Sequence, residues 1–370
     1  MNPKLRIISI IPSAENAGTE LAAIRKTLLF SEKGASAEIW SLSKSENFDS
    51  FAIQHAITLR KFPIKTQSPL SGFKNIFRLF FHTWKNRKVS IFHAYLPKSI
   101  LIIFILSRLI NISYIAGVRG KISTKNYIVE YFLRKSLLKA EFVICNARHL
   151  KETVRSRFKL LPDKILIVRN MVKPQELRSQ IENQPPTAIV LANFLAYKGH
   201  ENLLLALKMC RFKPKVILVG HGPEEVQIRL RIQELNLEDY VSIQTDQNLG
   251  EILEAVQFAV HPSETEGFSN AILEEMSFGL PVVAFDIEGN IELIQNNFNG
   301  LLVEAGNNTA LSVAIEVLTT QVDLRTKLSA GAKETSMEYS PSVLYKNLTQ
   351  IYSQTRANRN MGAMKYESYI

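Results

Sequence analysis

Short apolar runs alternate with longer amphipathic stretches along most of this chain, and the alternation stops once and then begins again. In the first half, Leu5–Ile11, Glu38–Ser41, Val89–His93, Tyr114–Val118 and Phe142–Cys145 read as strands. Between them, Thr19–Glu32, Gly72–Lys88 and Asn126–Lys139 carry helical spacing. A second set of strands follows at Thr187–Ala192, Lys215–Val219, Val241–Gln244, Phe258–His261, Pro281–Phe285 and Leu301–Val303. Strands separated by helices must return in the same direction, so each set builds a parallel sheet covered on both faces. Val172-Lys-Pro174 and Gln184-Pro-Pro186 punctuate a polar stretch between the sets, which reads as a linker. The fold class expected is α/β, with two doubly wound Rossmann-like domains facing a central cleft and ligands at the carboxyl ends of the strands. The expected boundaries are a first domain at 1–172, a linker at 173–186 and a second domain at 187–339. A C-terminal helix at 340–356 is expected to pack back toward the first domain, followed by a polar tail at 357–370. A length of 370 residues suits two domains, and 46% hydrophobic residues fill two cores.

Charge is divided unevenly. Residues 1–180 hold 31 Lys and Arg against 11 Asp and Glu, and residues 181–370 hold 14 against 23. From Ser50 to Val129 there is no acidic residue. Such a field attracts an anionic surface or an anionic substrate. No zinc finger, helix-turn-helix or RNP motif accompanies it, so nucleic acid is not the expected partner. Cys145 and Cys210 lie in separate halves among apolar residues and are expected as buried free thiols. The N-terminus runs directly into a strand without a signal-peptide pattern, and the apolar run Ile100–Ser107 is too short to span a bilayer, which takes about 20 residues. A cytoplasmic location is the expectation.

The segment from His261 to Asp286 concentrates the chemistry. An apolar strand enters a polar loop ending at Gly267, a short helix starts near Ser269, and Gly279-Leu-Pro281 stops it. Glu266 and Glu274 stand eight positions apart across that junction. The amides of Gly267, Phe268, Ser269 and Asn270 are those that a helix start directs toward negative charge. Carboxylates and helix amides delivered to one spot suit a sugar nucleotide. On spacing alone, Glu266 reads first as a solvated loop charge and Glu274 as a surface helix residue. Gly220-His-Gly222 follows a strand and precedes a helix but does not complete a dinucleotide fingerprint. It can still touch a base or phosphate. Gly18, after the first strand, is either a tight turn or a close-approach point for a ligand. His93 closes a strand of the first domain.

The pattern resembles family 4 of the retaining glycosyltransferases (glycosyltransferase group 1), which have the GT-B fold. Pro262-Ser263, Glu266-Gly267-Phe268, Glu274, Gly279-Leu-Pro-Val-Val-Ala284, Gly289, Glu292 and Asn299-Gly-Leu-Leu-Val303 carry the resemblance. Ala192-Asn-Phe-Leu-Ala-Tyr-Lys198-Gly199-His200 and Leu218-Val-Gly-His-Gly-Pro-Glu224 add to it in the right order. In the first half, Asn16-Ala-Gly18-Thr-Glu20 and the segment around His93 are looser matches. The resemblance implies that Glu274 binds the ribose diol, a role for which a carboxylate is the fitting bidentate acceptor. It implies Glu266 on hydroxyls of the transferred sugar, Lys198 on the diphosphate leaving group, and His93 near the donor sugar or the acceptor. His93, Lys198 and Glu266 are the expected catalytic residues. Gly18, Asn193, Lys198, Gly220, Gly222, Glu266, Gly267, Phe268, Ser269, Asn270 and Glu274 are the expected donor-binding residues. The family usually has an arginine where Asn193 stands and often a second histidine where Tyr95 stands. No Asp-x-Asp pair is present, and neither a required metal nor a cofactor is expected.

The reaction implied is retaining sugar transfer from a nucleotide sugar, most simply a UDP-sugar, to a lipid-linked or surface-polysaccharide acceptor. A UDP-sugar 2-epimerase on the same fold and a non-catalytic sugar-nucleotide-binding partner are the alternatives. The segment 73–88 places Phe73, Ile76, Phe77, Phe80, Phe81 and Trp84 on one helical face and basic residues on the other. Periodicity alone favours a core helix packed on the first sheet. The acid-free stretch instead favours an anionic leaflet, hence peripheral association with the inner face of the cytoplasmic membrane.

Overall fold

The structure, a computed structural model, describes residues 5–13, 18–44, 57–64, 69–120, 122, 126–175, 186–244 and 248–367, without the side chains of 18–20, 69 and 360–367. It divides into two compact units, Met1–Asn170 with Pro341–Ile370, and Met171–Ser340.

The first unit contains β1 (Arg6–Ile11), α1 (Gly18–Glu32), β2 (Ser36–Ser41), β3 (Thr58–Lys61), α2 (Pro69–Asn86), β4 (Ser90–Tyr95), α3 (Leu96–Ile110), β5 (Tyr114–Val118), α4 (Tyr127–Lys139), β6 (Phe142–Cys145), α5 (Arg148–Phe158) and β7 (Ile165–Ile167). Its seven strands are ordered β3-β2-β1-β4-β5-β6-β7 and every pairing is parallel. β4, β5 and β6 are buried along their whole length, which is why they read as unbroken apolar runs. The order in which successive strands are added reverses between β1 and β4, the topological switch point.

The second unit contains β8 (Thr187–Leu191), α6 (His200–Met209), β9 (Lys215–Val219), α7 (Glu225–Glu234), β10 (Val241–Gln244), α8 (Leu249–Ala255), β11 (Phe258–His261), α9 (Asn270–Ser277), β12 (Val282–Phe285), β13 (Gly300–Val303), α10 (Asn308–Thr320) and α11 (Val322–Met337). The sheet order is β10-β9-β8-β11-β12-β13, again all parallel, with its switch point between β8 and β11. Its core joins Val190, Leu203, Leu207, Leu218, Val260 and Ile315. α12 (Pro341–Glu367) belongs to the first unit.

Four features differ from the sequence reading. β3 and β7 add two strands to the first sheet; they are short, and β3 is a half-exposed edge strand that carries no apolar run. The last helix continues to Glu367, so most of the stretch expected as a tail, 357–370, is helical backbone. The expected linker begins inside the second unit: Val172 N–H donates to Tyr339 O (3.0 Å), Gln175 N–H to Ser277 O (3.2 Å), and the Lys333 ammonium to Gln175 O and Ser277 O. Its remainder, 176–185, and the Asn16-Ala17 part of the glycine loop lie outside the described residues.

The fourth concerns α2, which periodicity alone placed in the core and the acid-free charge pattern placed at the surface. It does not bury its aromatic stripe in the core. It packs through Gly72, Leu79, Thr83 and Asn86, while Phe73, Phe77, Phe81 and Trp84 point outward. Thr83 and Asn86 satisfy their polar groups on Leu79 O and His82 O, so this face is buried without unpaired donors. Both cysteines are buried free thiols, pushed up by burial to about 12 (Cys145) and about 11 (Cys210). Among the described residues no helix is long and apolar enough to cross a membrane.

Candidate active site

The loops leaving β8 and β11, the two strands that flank the second switch point, carry the charged side chains singled out in the sequence. After β8 the chain forms a single 3-10 turn, Ala196–Lys198, before α6 starts at His200. Gly199 lies between them with φ +73°, and a Cβ there would sit 1.8 Å from the Pro262 carbonyl oxygen. Only glycine allows the two loops this approach. The Glu264 amide donates to Tyr197 O (2.9 Å) and holds them together. The result is a direct ion pair: Lys198 Nζ lies 2.5 Å from Glu266 Oε1, with 17% and 12% of the two side chains exposed.

The pair changes how the two residues must be read. Glu266 and Lys198, expected as contacts for sugar and for phosphate, are also bonded to each other. The carboxylate occupies one of the three ammonium donors and leaves the others for a ligand. The Cα of Gly289 backs the Glu266 backbone so closely that a Cβ there would fall 2.5 Å from Glu266 O. Ser269 caps α9, accepting from the Ile272 amide (3.3 Å), and so fixes where that helix begins. Gly267 and Asn270 are partly exposed at this junction, and Glu274 is partly exposed in the middle of α9. Phe268 is buried, with its ring centroid 6.0 Å from that of Tyr339, so its side chain is a packing contact. Asn193 is exposed at the mouth of the β8 loop.

Gly220 and Gly222 have a packing reason to be glycine. Cβ atoms there would meet Ala192 O at 2.1 Å and Phe194 O at 2.4 Å. The Phe194 amide donates to His221 O (2.9 Å) and the Glu224 amide to Phe194 O (3.1 Å), so this turn braces the loop that leads to Lys198.

Beneath the loops lies a pair that the sequence reading did not single out. His261 Nε2 is 2.8 Å and 3.0 Å from the two carboxylate oxygens of Glu275, and both side chains are buried. The pair ties the end of β11 to the middle of α9, on either side of the loop bearing Glu266. Burial raises the Glu275 carboxyl, His261 opposes that shift, and the neighbouring Glu274 charge adds to it. The signal was present: Glu275 shares the helical face of Ile272 and Met276, both buried, whereas Glu274 does not. His200 is also buried, its ring edge-on to Phe194 at 5.1 Å, with Nε2 unpartnered. Burial, with Lys198 and His261 adding, holds it down at about 4.

Gly18 and His93 belong to the first unit. Gly18 is the first residue of α1, which follows β1. His93 is fully buried on β4 beside Tyr95, the rings stacked with centroids 4.1 Å apart. Its Nδ1 is 3.1 Å from the Tyr95 hydroxyl and 3.0 Å from the Tyr352 hydroxyl, and its Nε2 has no partner. Lys26 and Arg119, both buried nearby, act on it electrostatically. Leu96, next after Tyr95, adopts φ +66°, a strained conformation for leucine at the strand-to-helix junction. Among the described residues no group of three or more His, Cys, Asp or Glu side chains is arranged to hold a metal ion.

Two parallel Rossmann-like sheets, each with its own switch point, are the elements of the GT-B fold. Residues 173–335, somewhat less than half of the chain, match the family described as glycosyl transferases group 1. An uncharacterized glycosyltransferase of Haemophilus influenzae is 28% identical over 177 residues, 46% of this chain and 49% of that protein. The N,N'-diacetylbacillosaminyl-diphospho-undecaprenol alpha-1,3-N-acetylgalactosaminyltransferase of Campylobacter jejuni is 26% identical over 176 residues, 48% of this chain and 46% of that protein. The chain thus spans about half the length of these curated relatives. The crystal structure of Anabaena Alr3699/HepE in complex with UDP covers 95% of this chain and 100% of that one, with TM-score 0.84 and 18% identity. The same Anabaena protein in complex with UDP-glucose has TM-score 0.80 at 18% identity and the same coverage. At such identity the likeness shows the fold.

Proposed function

We propose that this chain is a retaining glycosyltransferase that moves a hexose from a UDP-sugar to a lipid-linked acceptor of surface-polysaccharide assembly (O-antigen or capsule type). The observation that carries the proposal is the Lys198–Glu266 pair at the switch point of a unit whose residues 173–335 match the glycosyl transferases group 1 family. The UDP and UDP-glucose complexes of the Anabaena structure support a UDP donor. The diphospho-undecaprenol acceptor in the name of the Campylobacter relative supports a lipid-linked acceptor.

In this reading Glu274 accepts hydrogen bonds from the ribose diol, and Glu266 engages hydroxyls of the transferred sugar while it orients Lys198. The remaining Lys198 donors and the leading amides of α9 meet the charge that grows on the departing diphosphate. Asn193 adds an uncharged hydrogen bond to phosphate. That phosphate assists deprotonation of the acceptor hydroxyl, which attacks on the face the donor leaves. No required metal ion enters this scheme, and turnover should persist in EDTA. His93 is assigned to the sugar or the acceptor, and the basic first half draws the enzyme to the inner, anionic face of the cytoplasmic membrane.

The test is thermal stabilisation by a panel of UDP-, GDP- and ADP-sugars, followed by slow donor hydrolysis with the best ligand. Stabilisation by a UDP-sugar, lost together with hydrolysis in Glu274→Ala, supports the proposal. Interconversion of the UDP-sugar with no acceptor present would identify an epimerase. Binding without hydrolysis or transfer would identify a non-catalytic partner.

A further inference from the structure

The sequence left the aromatic stripe of α2 between a core role and a surface role, and the structure turns it outward. Phe73 is 74% exposed, Phe77 69%, Phe81 51% and Trp84 44%, with Ile76 beside them. Residues spaced by three and four share one side of a helix, so these five form one continuous apolar strip. Contiguous apolar surface of this kind is rarely left to water by a soluble monomer. The basic residues of the helix do not retreat to a separate solvent face. Lys74, Arg78 and Lys85 are exposed around the strip, and the Arg87 guanidinium lies 4.6 Å from the centre of the Trp84 ring. From Ser50 to Val129 the sequence has thirteen Lys and Arg and no Asp or Glu. At the start of α4, Tyr127, Ile128 and Tyr131 are also exposed, with Glu130 among them paired to Arg157.

We propose that α2 is an interfacial docking helix that lies in the plane of an anionic bilayer, with Phe73, Phe77, Phe81 and Trp84 inserted to the headgroup level. The proposal rests on the reading of a membrane-facing transferase and names the surface that makes the contact. Three observations select this occupant. Aromatic side chains suit the headgroup boundary, where an apolar body meets a wet rim. Lys and Arg stems run along apolar surface while their heads reach lipid phosphate, and the absence of any carboxylate from α2 removes the repulsion that an anionic leaflet would otherwise meet there. A second copy of the chain is disfavoured, because a two-fold interface would set the same cations against one another.

The experiment is co-sedimentation of the full chain with phosphatidylglycerol/phosphatidylethanolamine vesicles, with pure phosphatidylcholine vesicles in parallel. Emission from Trp84 supplies a second readout, since the only other tryptophan, Trp40, is buried. Wild-type protein should partition to the anionic vesicles with a blue shift that Trp84→Phe abolishes. The triple variants Phe73→Ser/Phe77→Ser/Phe81→Ser and Lys74→Glu/Arg78→Glu/Lys85→Glu should each lower partition at least ~10-fold, the first through lost apolar burial and the second through lost attraction to anionic lipid. Both should retain the thermal shift given by the UDP-sugar. Failure of wild type to partition, or undiminished partition of both variants, overturns the proposal. So does a wild-type dimer that either variant converts to monomer, because the face would then be a contact between copies. Absence of any UDP-sugar shift in wild type counts against the transferase reading instead, so the two failures are told apart.

Discussion

The Tyr352 hydroxyl lies 3.0 Å from Nδ1 of His93, so the last helix places a polar group on the fourth strand of the first sheet. Tyr95 approaches the same nitrogen at 3.1 Å. Burial pushes the Tyr95 phenol up to about 12 and raises that of Tyr352 as well, so both keep their protons and can donate. Burial, reinforced by Lys26 and Arg119, holds His93 well below its ordinary range and neutral. A neutral imidazole that accepts at Nδ1 carries its proton on Nε2. Tyr352→Phe should therefore cost only about 1 kcal/mol in urea unfolding, because Tyr95 remains. Nitrogen chemical shifts of His93 should still report the Nε2–H tautomer. In Tyr95→Phe/Tyr352→Phe that preference should disappear.

Stability should fall as the medium is acidified from about pH 6.5 toward pH 4. His93 and His200 both have folded values below the ordinary 6.5, His200 at about 4. Below pH 6.5 the unfolded chain takes up protons that the folded chain refuses, so the stability present above that value is lost as the pH descends through the folded values. For His200 the loss approaches roughly 3 kcal/mol. Urea midpoints measured between pH 7 and pH 4 check this, and His200→Leu should flatten the profile.

Glu275→Ala should be among the most damaging single changes in the second unit. It removes the carboxylate that faces buried His261 and leaves the ring without its partner. Breaking a buried pair by deleting one member costs about 3 kcal/mol or more. For a domain of this size that lowers Tm by roughly 10 °C. Because the pair joins β11 to α9, stabilisation by a UDP-sugar should weaken along with the fold. His261→Leu/Glu275→Leu should recover part of the loss, which thermal unfolding of the two variants beside wild type would measure.

The fold was legible because parallel strands buried on both faces, such as Tyr114–Val118 and Val282–Phe285, write themselves as apolar runs. β3 was hidden because an edge strand of Thr-Leu-Arg-Lys buries too little to leave such a trace. At the site, the sequence placed Lys198 and Glu266 in loops but not against each other, since their contact depends on Gly199 resting on Pro262, sixty-three positions along the chain. Glu275 was missed beside Glu274 because the spacing drew attention to the partly exposed carboxylate, while the buried one followed the apolar period. The outward face of α2 could not be read from periodicity, which finds a stripe without saying which way it turns.

Lys198 and Glu266 should behave as one unit in catalysis. Deleting Lys198 leaves Glu266 largely buried and unopposed while removing the cation expected at the leaving diphosphate. Lys198→Ala should lower turnover roughly 10²–10³-fold, the scale of removing one group that stabilises transition-state charge. Glu266→Gln keeps the shape and a hydrogen-bond acceptor but releases the lysine from its ion pair, and it should cost less in UDP binding than in turnover. If the pair acts jointly, Lys198→Ala/Glu266→Gln will lose much less than the product of the single losses, as interacting residues do in a double-mutant cycle. Donor hydrolysis and acceptor transfer, measured for all four proteins beside UDP affinity, make the comparison. Strictly multiplicative losses would show that the ion pair has no part in the reaction.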